Sequence, residues 1–105
     1  MRMRRKMTPE TLLKRDIKQY LGYHGWFCFH VLQGLGAYKG VSDMIAIKGG
    51  NVLFIEVKRP RGTQSEYQKE FERRVTEKGG KYVVVRSVDD LAEAVGGMLQ
   101  KKMIW

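Results

Sequence analysis

The chain has 105 residues, 43% of them hydrophobic, and sets 20 Lys and Arg against 11 Asp and Glu, a formal charge of +9 with a sequence pI near 9.9. That length fits one domain around one core and excludes two, and the charge favours a polyanionic partner, although a merely soluble basic protein carries the same signature. A single cysteine, Cys28, excludes an internal disulfide and a Cys-rich zinc site, and no apolar run approaches the ~18 residues of a membrane span, so a cytoplasmic protein with no membrane partner is expected.

Residues 1–7 read as a basic arm in which Arg4 and Arg5 could grip phosphate, though most such runs are simply solvated. Thr8-Pro9 supplies an N-cap and first helical residue for a helix to about Tyr23, with Leu13, Ile17, Tyr20 and Leu21 as its apolar stripe. Glu10 lies three residues before Leu13 and seven before Ile17, on the same inward face. It is either a first-turn carboxylate favoured by the helix dipole or a functional acid. Residues 26–32, rich in aromatic and β-branched side chains, read as a strand. The loop at residues 33–40 contains a Gly-x-Gly, but a dinucleotide fingerprint must open a helix and this one leads into a strand. Tyr38 and Lys39 in that loop are available for base stacking and phosphate binding.

Residues 42–48 and 51–58 read as two strands around a Gly49-Gly50 turn. With those two glycines as the loop, Lys48 pairs with Asn51, and counting up the ladder brings Asp43 opposite Glu56. Opposed residues have Cβ atoms roughly 4.5–5.5 Å apart. Two carboxylates about 5 Å apart repel by roughly 3 kcal/mol at an effective dielectric near 20. A divalent cation, a shared proton or exposure at the sheet end would offset that repulsion. Val52-Leu53-Phe54-Ile55, apolar on both faces, reads as a central strand and argues against exposure. Lys58 shares a strand face with Glu56, which sets an ammonium beside the acids. Hard oxygen donors suit Mg²⁺ or Mn²⁺, the ions of phosphodiester chemistry.

Arg59-Pro60-Arg61-Gly62 breaks the strand and adds two cations near the acid pair. A second helix follows from about Ser65 to Lys78, with Tyr67, Phe71 and Val75 as its core stripe, and Ser65 with Gln68 fits a capping box. Gly79-Gly80 ends it, residues 81–86 give a fourth strand, and Ser87-Val88-Asp89-Asp90 opens a last helix. Leu91, Val95, Met98 and Leu99 face inward there, and Gly96-Gly97 weakens its end. The expected organisation is a basic arm at 1–7, one domain at 8–100 and a basic, apolar tail at 101–105. A zinc site built on His24 and His30 falls short of the four ligands that structural zinc takes.

The order helix, three strands, helix, strand, helix resembles the PD-(D/E)XK nuclease superfamily and, within it, the virus-type replication-repair nuclease (VRR-NUC) domain. The residues that carry the resemblance are Glu10, Gly40-Val41-Ser42-Asp43, Phe54-Ile55-Glu56-Val57-Lys58, the stretch from Gly62 to Gln68, and the run from Gly79 to Ser87. They span about residues 8 to 95. Ser42 stands where the superfamily motif has proline, a position that is not a ligand.

The resemblance implies an α/β, restriction-endonuclease-like core of order αβββαβα, a mixed four-stranded sheet flanked by helices. It implies a metal held by Asp43, Glu56 and the main-chain carbonyl of Val57, with Glu10 acting directly or through water. Lys58 would position or help deprotonate the attacking water, and Gln68 would touch the site from the second helix. The activity implied is a Mg²⁺- or Mn²⁺-dependent DNA endonuclease, and small stand-alone members resemble homodimers acting on branched DNA, four-way (Holliday) junctions included. Tyr38, Lys39, Arg59, Arg61, Arg4 and Arg5 are the candidate DNA contacts. The alternative is a non-catalytic nucleic-acid-binding module on the same scaffold, using its charge with Tyr38, Trp26 and Trp105.

Overall fold

A computed structural model describes residues 8–103, and their side chains as far as residue 97. Arg4 and Arg5, the rest of residues 1–7, and Ile104 and Trp105 lie outside the described residues. Helix α1 (Pro9–Tyr23) starts where the sequence signals it: the Thr8 hydroxyl accepts a hydrogen bond from the Thr11 N–H, and Pro9 presets the first turn. Strands β1 (Phe27–His30), β2 (Met44–Lys48) and β3 (Asn51–Val57) form an antiparallel meander. Helix α2 (Glu66–Glu77) is the crossover that lays β4 (Lys81–Val85) parallel beside β3, and helix α3 (Val88–Met103) closes the fold. The sheet order is β1-β2-β3-β4, so the expected α/β architecture with a mixed four-stranded sheet is present.

One strand is shorter than expected, and the last helix passes its weak point. β1 pairs over four residues only, and the Val31 N–H adds one more bond, to the Asp43 carbonyl, before the chain enters the loop that returns to β2. Helix α3 continues through Gly96-Gly97 to Met103. An interior glycine costs a helix about 1 kcal/mol, too little to end one that Leu91 and Val95 already anchor in the core.

Alternation along the strands divides the apolar residues between two faces. Cys28, Met44, Ala46, Leu53, Ile55 and Val57 point into a buried core with Ile17 and Leu21 of α1, Val85 of β4, and Leu91 and Val95 of α3. On the opposite face α2 covers only the β3–β4 half, through Phe71, whose ring centroid lies 5.6 Å from that of Phe54 and 6.1 Å from that of Tyr82. Among the described residues the rest of that face, on β1, β2 and the start of β3, stays open: Phe27 is 65% exposed, Val52 40% and Ile47 37%.

The hairpin register is the one that the Gly-Gly turn predicts. Lys48 pairs with Asn51, Ile47 with Val52, and the ladder runs on to Met44 opposite Ile55, so the next opposed positions are Asp43 and Glu56. The loop before β2 presses against the start of α2 at Gly40, which has φ +85°. A Cβ there would lie 2.1 Å from the Tyr67 carbonyl oxygen and 2.9 Å from the Gln68 nitrogen. Gly40→Ala should therefore lose ~2–4 kcal/mol of stability in denaturant unfolding. Gly34→Ala, at φ +105° but in open space, should lose only about 1 kcal/mol.

Candidate active site

Asp43 and Glu56 reach the same end of the sheet from neighbouring strands, and each is fixed by different partners. The Asp43 Oδ2 accepts the Val57 N–H at 2.8 Å, which ties the residue before β2 to the end of β3. Its Oδ1 lies 3.2 Å from the Lys14 ammonium, delivered by α1. Glu56 is 2% exposed. Its Oε2 receives the Gln68 amide at 2.9 Å and the Lys58 ammonium at 3.3 Å. Its Oε1 is buried with no hydrogen-bond partner.

That environment decides the protonation of Glu56. Burial pushes its carboxyl up to about 7, the charge of Asp43 pushes the same way, and Lys58 pulls back. A cationic field extends along the neighbouring edge of the sheet. His30, at the end of β1, is held below its ordinary value by partial burial and then by Lys18 and Lys14.

Gln68 does two things at once. Its Oε1 accepts the Ser65 N–H at 2.9 Å and the Ser65 hydroxyl accepts the Gln68 N–H, completing the capping box, while its Nε2 turns to Glu56. An amide carries an acceptor and two donors, so capping and contact with the acid do not compete. Glu10 lines a cavity of about 300 Å³ between the start of α1, the segment after β3 and the start of α3, in company with Lys58, Arg59 and Arg86. Among the described residues no cluster of three or more His, Cys, Asp or Glu gathers closely enough to hold a metal, so Glu10 stands apart from the Asp43–Glu56 pair.

Tyr38 and Lys39 lie against α2. The Lys39 ammonium sits 4.6 Å from the Tyr67 ring centroid, and the Tyr38 ring 5.9 Å from that of Phe71. Arg59 and Arg61 are exposed in a turn closed by the Gly62 N–H on the Arg59 carbonyl. Lys14 was not legible as a site residue. Its only signal is a place four residues after Glu10, beside the stripe of Leu13 and Ile17. Gln33 is a second such residue: its amide donates to the carbonyl of Ser42 at 3.2 Å and holds the chain just before Asp43.

Two convergent carboxylates, one with a buried unpartnered oxygen and a resisted charge, are a donor set that fits a divalent cation. Mg²⁺ and Mn²⁺ favour such oxygen donors, and Mg²⁺ is commonly held by one or two carboxylates with water and phosphate completing its shell. Zinc, which favours nitrogen and sulfur in tetrahedral sites, does not suit it.

No family model matches the sequence, and no curated protein matches it. Solved structures do. A structure described as a VRR_NUC domain superposes with a TM-score of 0.73 at 25% identity, over 83% of this chain and 97% of that one. A VRR_NUC domain protein gives a TM-score of 0.70 at 18% identity, over 89% of each chain. Hjc, a Holliday junction resolvase from the archaeal hyperthermophile Archaeoglobus fulgidus, gives 0.56 at 20% identity, over 70% of this chain and 64% of its own.

A mixed sheet in this order, with an Asp before the second strand opposed to a Glu-x-Lys on the third, defines the PD-(D/E)XK-like nuclease fold. Within that class the chain has the fold of the VRR_NUC domain structures it superposes on. Among the described residues no helix is long and apolar enough to cross a membrane.

The raised Glu56 carboxyl makes stability depend on pH. In the metal-free chain the folded state keeps this proton up to about 7, whereas the unfolded chain releases it near 4.5. The folded form binds more protons between those values, so stability falls as pH rises through that window. The full effect is ~3 kcal/mol. Glu56→Gln should flatten the dependence, and near pH 8 the variant should unfold at higher urea than the wild type.

Proposed function

We propose that this chain is a divalent-metal-dependent DNA endonuclease, selective for branched DNA such as four-way (Holliday) junctions. The observation that carries the reading is Glu56, a buried acid opposite a second acid, with one oxygen clamped and the other without a partner. Burying such a group is costly, and an apolar residue would serve the sheet better unless the charge has a use. Asp43, Glu56 and the Val57 carbonyl would hold Mg²⁺ or Mn²⁺. When bound, the ion supplies Lewis acidity and an acidified water for attack on phosphorus.

The chain's own groups do the rest. The Lys58 ammonium meets the negative charge that builds on the phosphoryl oxygens as water attacks and the P–O bond to the leaving strand breaks. Lys14 and Gln68 hold the two carboxylates in register. Glu10, which lines the same cavity as Lys58, would act through water rather than by direct contact with the acid pair. Arg59, Arg61, Lys39 and Tyr38 contact the strand outside the reacting phosphate, as do Arg4 and Arg5 of the arm.

Branched DNA is favoured by the +9 charge together with the likeness to a Holliday junction resolvase. A four-way junction presents symmetry-related strands, which a two-fold dimer would cut in pairs. We assign the dimer contact to the open half of the sheet. The rows Phe27–Ile47–Val52 and Phe29–Ile45 carry no charge, and a chain with nine excess cations meets its own copy at least cost where no cation faces another.

Glu56→Ala and Asp43→Asn should each lower Mg²⁺- or Mn²⁺-dependent cleavage of labelled four-way junctions by ~10²-fold or more while leaving junction binding in place. Salt-sensitive binding without cleavage in either metal, unchanged by Glu56→Ala, would instead identify a non-catalytic binding module. Ile47→Lys should shift the light-scattering mass from two chains to one. A wild type already of one chain's mass would overturn the dimer assignment.

A further inference from the structure

The cavity next to Lys58 has a composition that hydrolysis alone does not explain. Its volume is about 300 Å³, and it is lined by Pro9, Leu13, Pro60 and Val88 together with Lys58, Arg59 and Arg86. A hollow of that kind suits a flat, largely apolar body with a polar edge, joined to an anion. A nucleotide is such a ligand. We propose that the cavity receives an unstacked nucleobase of the bound DNA strand, next to the phosphate that is cut.

This rests on the reading of the chain as a DNA nuclease and adds the source of its structure selectivity. Lys58 is both a wall of the cavity and the partner of Glu56 at 3.3 Å, so the two sites lie within one nucleotide's reach. Arg86 is set in advance: its guanidinium donates to the Gly62 carbonyl at 2.9 Å, and its N–H donates to Asp90 at 2.9 Å. Arg59 begins the turn that the Gly62 N–H closes. Together these cations face the phosphates on either side of the captured base. Glu10 offers a carboxylate to the exocyclic amino group of a base, the contact that acids make in base readout. Taking a base out of its stack costs least where it is already unpaired. A cavity that must be filled before the phosphate is aligned would therefore admit a branch point and discriminate against continuous duplex.

The test uses the full chain bound to four-way junctions in EDTA, with 2-aminopurine placed at one position at a time around the branch point. Binding should raise the fluorescence severalfold at one position. The cavity walls named above carry no aromatic ring to quench it. Val88→Met, which extends a chain into the cavity, and Pro60→Leu, at an exposed lining residue, should both abolish the rise while junction binding by anisotropy is kept. A junction bound with no position brightening, or brightening that survives both variants, overturns the proposal. Cleavage is read separately with Mg²⁺. A wild type that cuts without brightening refutes base capture and leaves the nuclease, whereas one that brightens but never cuts refutes the nuclease and supports base capture.

Discussion

Glu56 buried between Asp43 on one side and Lys58 with Gln68 on the other is the interaction around which the remaining elements are arranged. Removing a carboxylate from water costs several kcal/mol, and a second carboxylate nearby adds to that. The chain offsets the two charges with separate partners from separate elements. Asp43 takes Lys14 from α1 and a main-chain N–H from β3, whereas Glu56 takes Lys58 from beyond its own strand and an amide from α2. Two helices on opposite faces of the sheet are thus both needed to hold one acid pair.

The backbone explains why those partners arrive. The hairpin loop fixes which residues oppose, and a slip of one position would turn Glu56 to the core face, where Ile55 and Val57 now pack. The Gly40 approach brings the loop against the first turn of α2, the turn that carries Gln68. Ser65 then fixes the Gln68 rotamer through the capping box. Glutamate can also complete a capping box, but at this position it would set a third carboxylate against Glu56 and leave no donor for it. Local helix chemistry and the needs of the buried acid meet in one amide.

Local signals carried most of the fold and the heart of the site. Thr8-Pro9, Ser65 with Gln68, and Gly49-Gly50 each act within a few residues, so helix starts, the hairpin register and the Asp43–Glu56 opposition could be counted from the sequence. The Lys14–Asp43 pair joins residues 29 apart in number through the angle at which α1 crosses the sheet, and no local pattern encodes that angle. Glu10 shows the reverse limit. Its helical face was readable, but helix periodicity says nothing about depth along the sheet, and the residue ends beside Lys58 rather than among the acids. The half-covered sheet has the same cause: alternation shows that Phe27, Ile47 and Val52 share a face, while only the path of α2 decides that Phe54 is covered and they are not.

Electrostatics would tie the site to the polyanion proposed as its partner. Lys14 and Lys58 are each taken up by one carboxylate, so the four groups together present a phosphate with a charge close to zero. Since the Glu56 carboxyl holds its proton up to about 7, the cluster is at most weakly positive at neutral pH. On the proposed function the surrounding excess of cations would draw DNA to the surface, but the acid pair would give the reacting phosphate little reason to settle over it. A divalent cation would compete with that proton and add two positive charges where the phosphate must lie. On that argument metal and substrate favour each other's binding, and the orphaned oxygen of Glu56 is the atom through which the coupling would run.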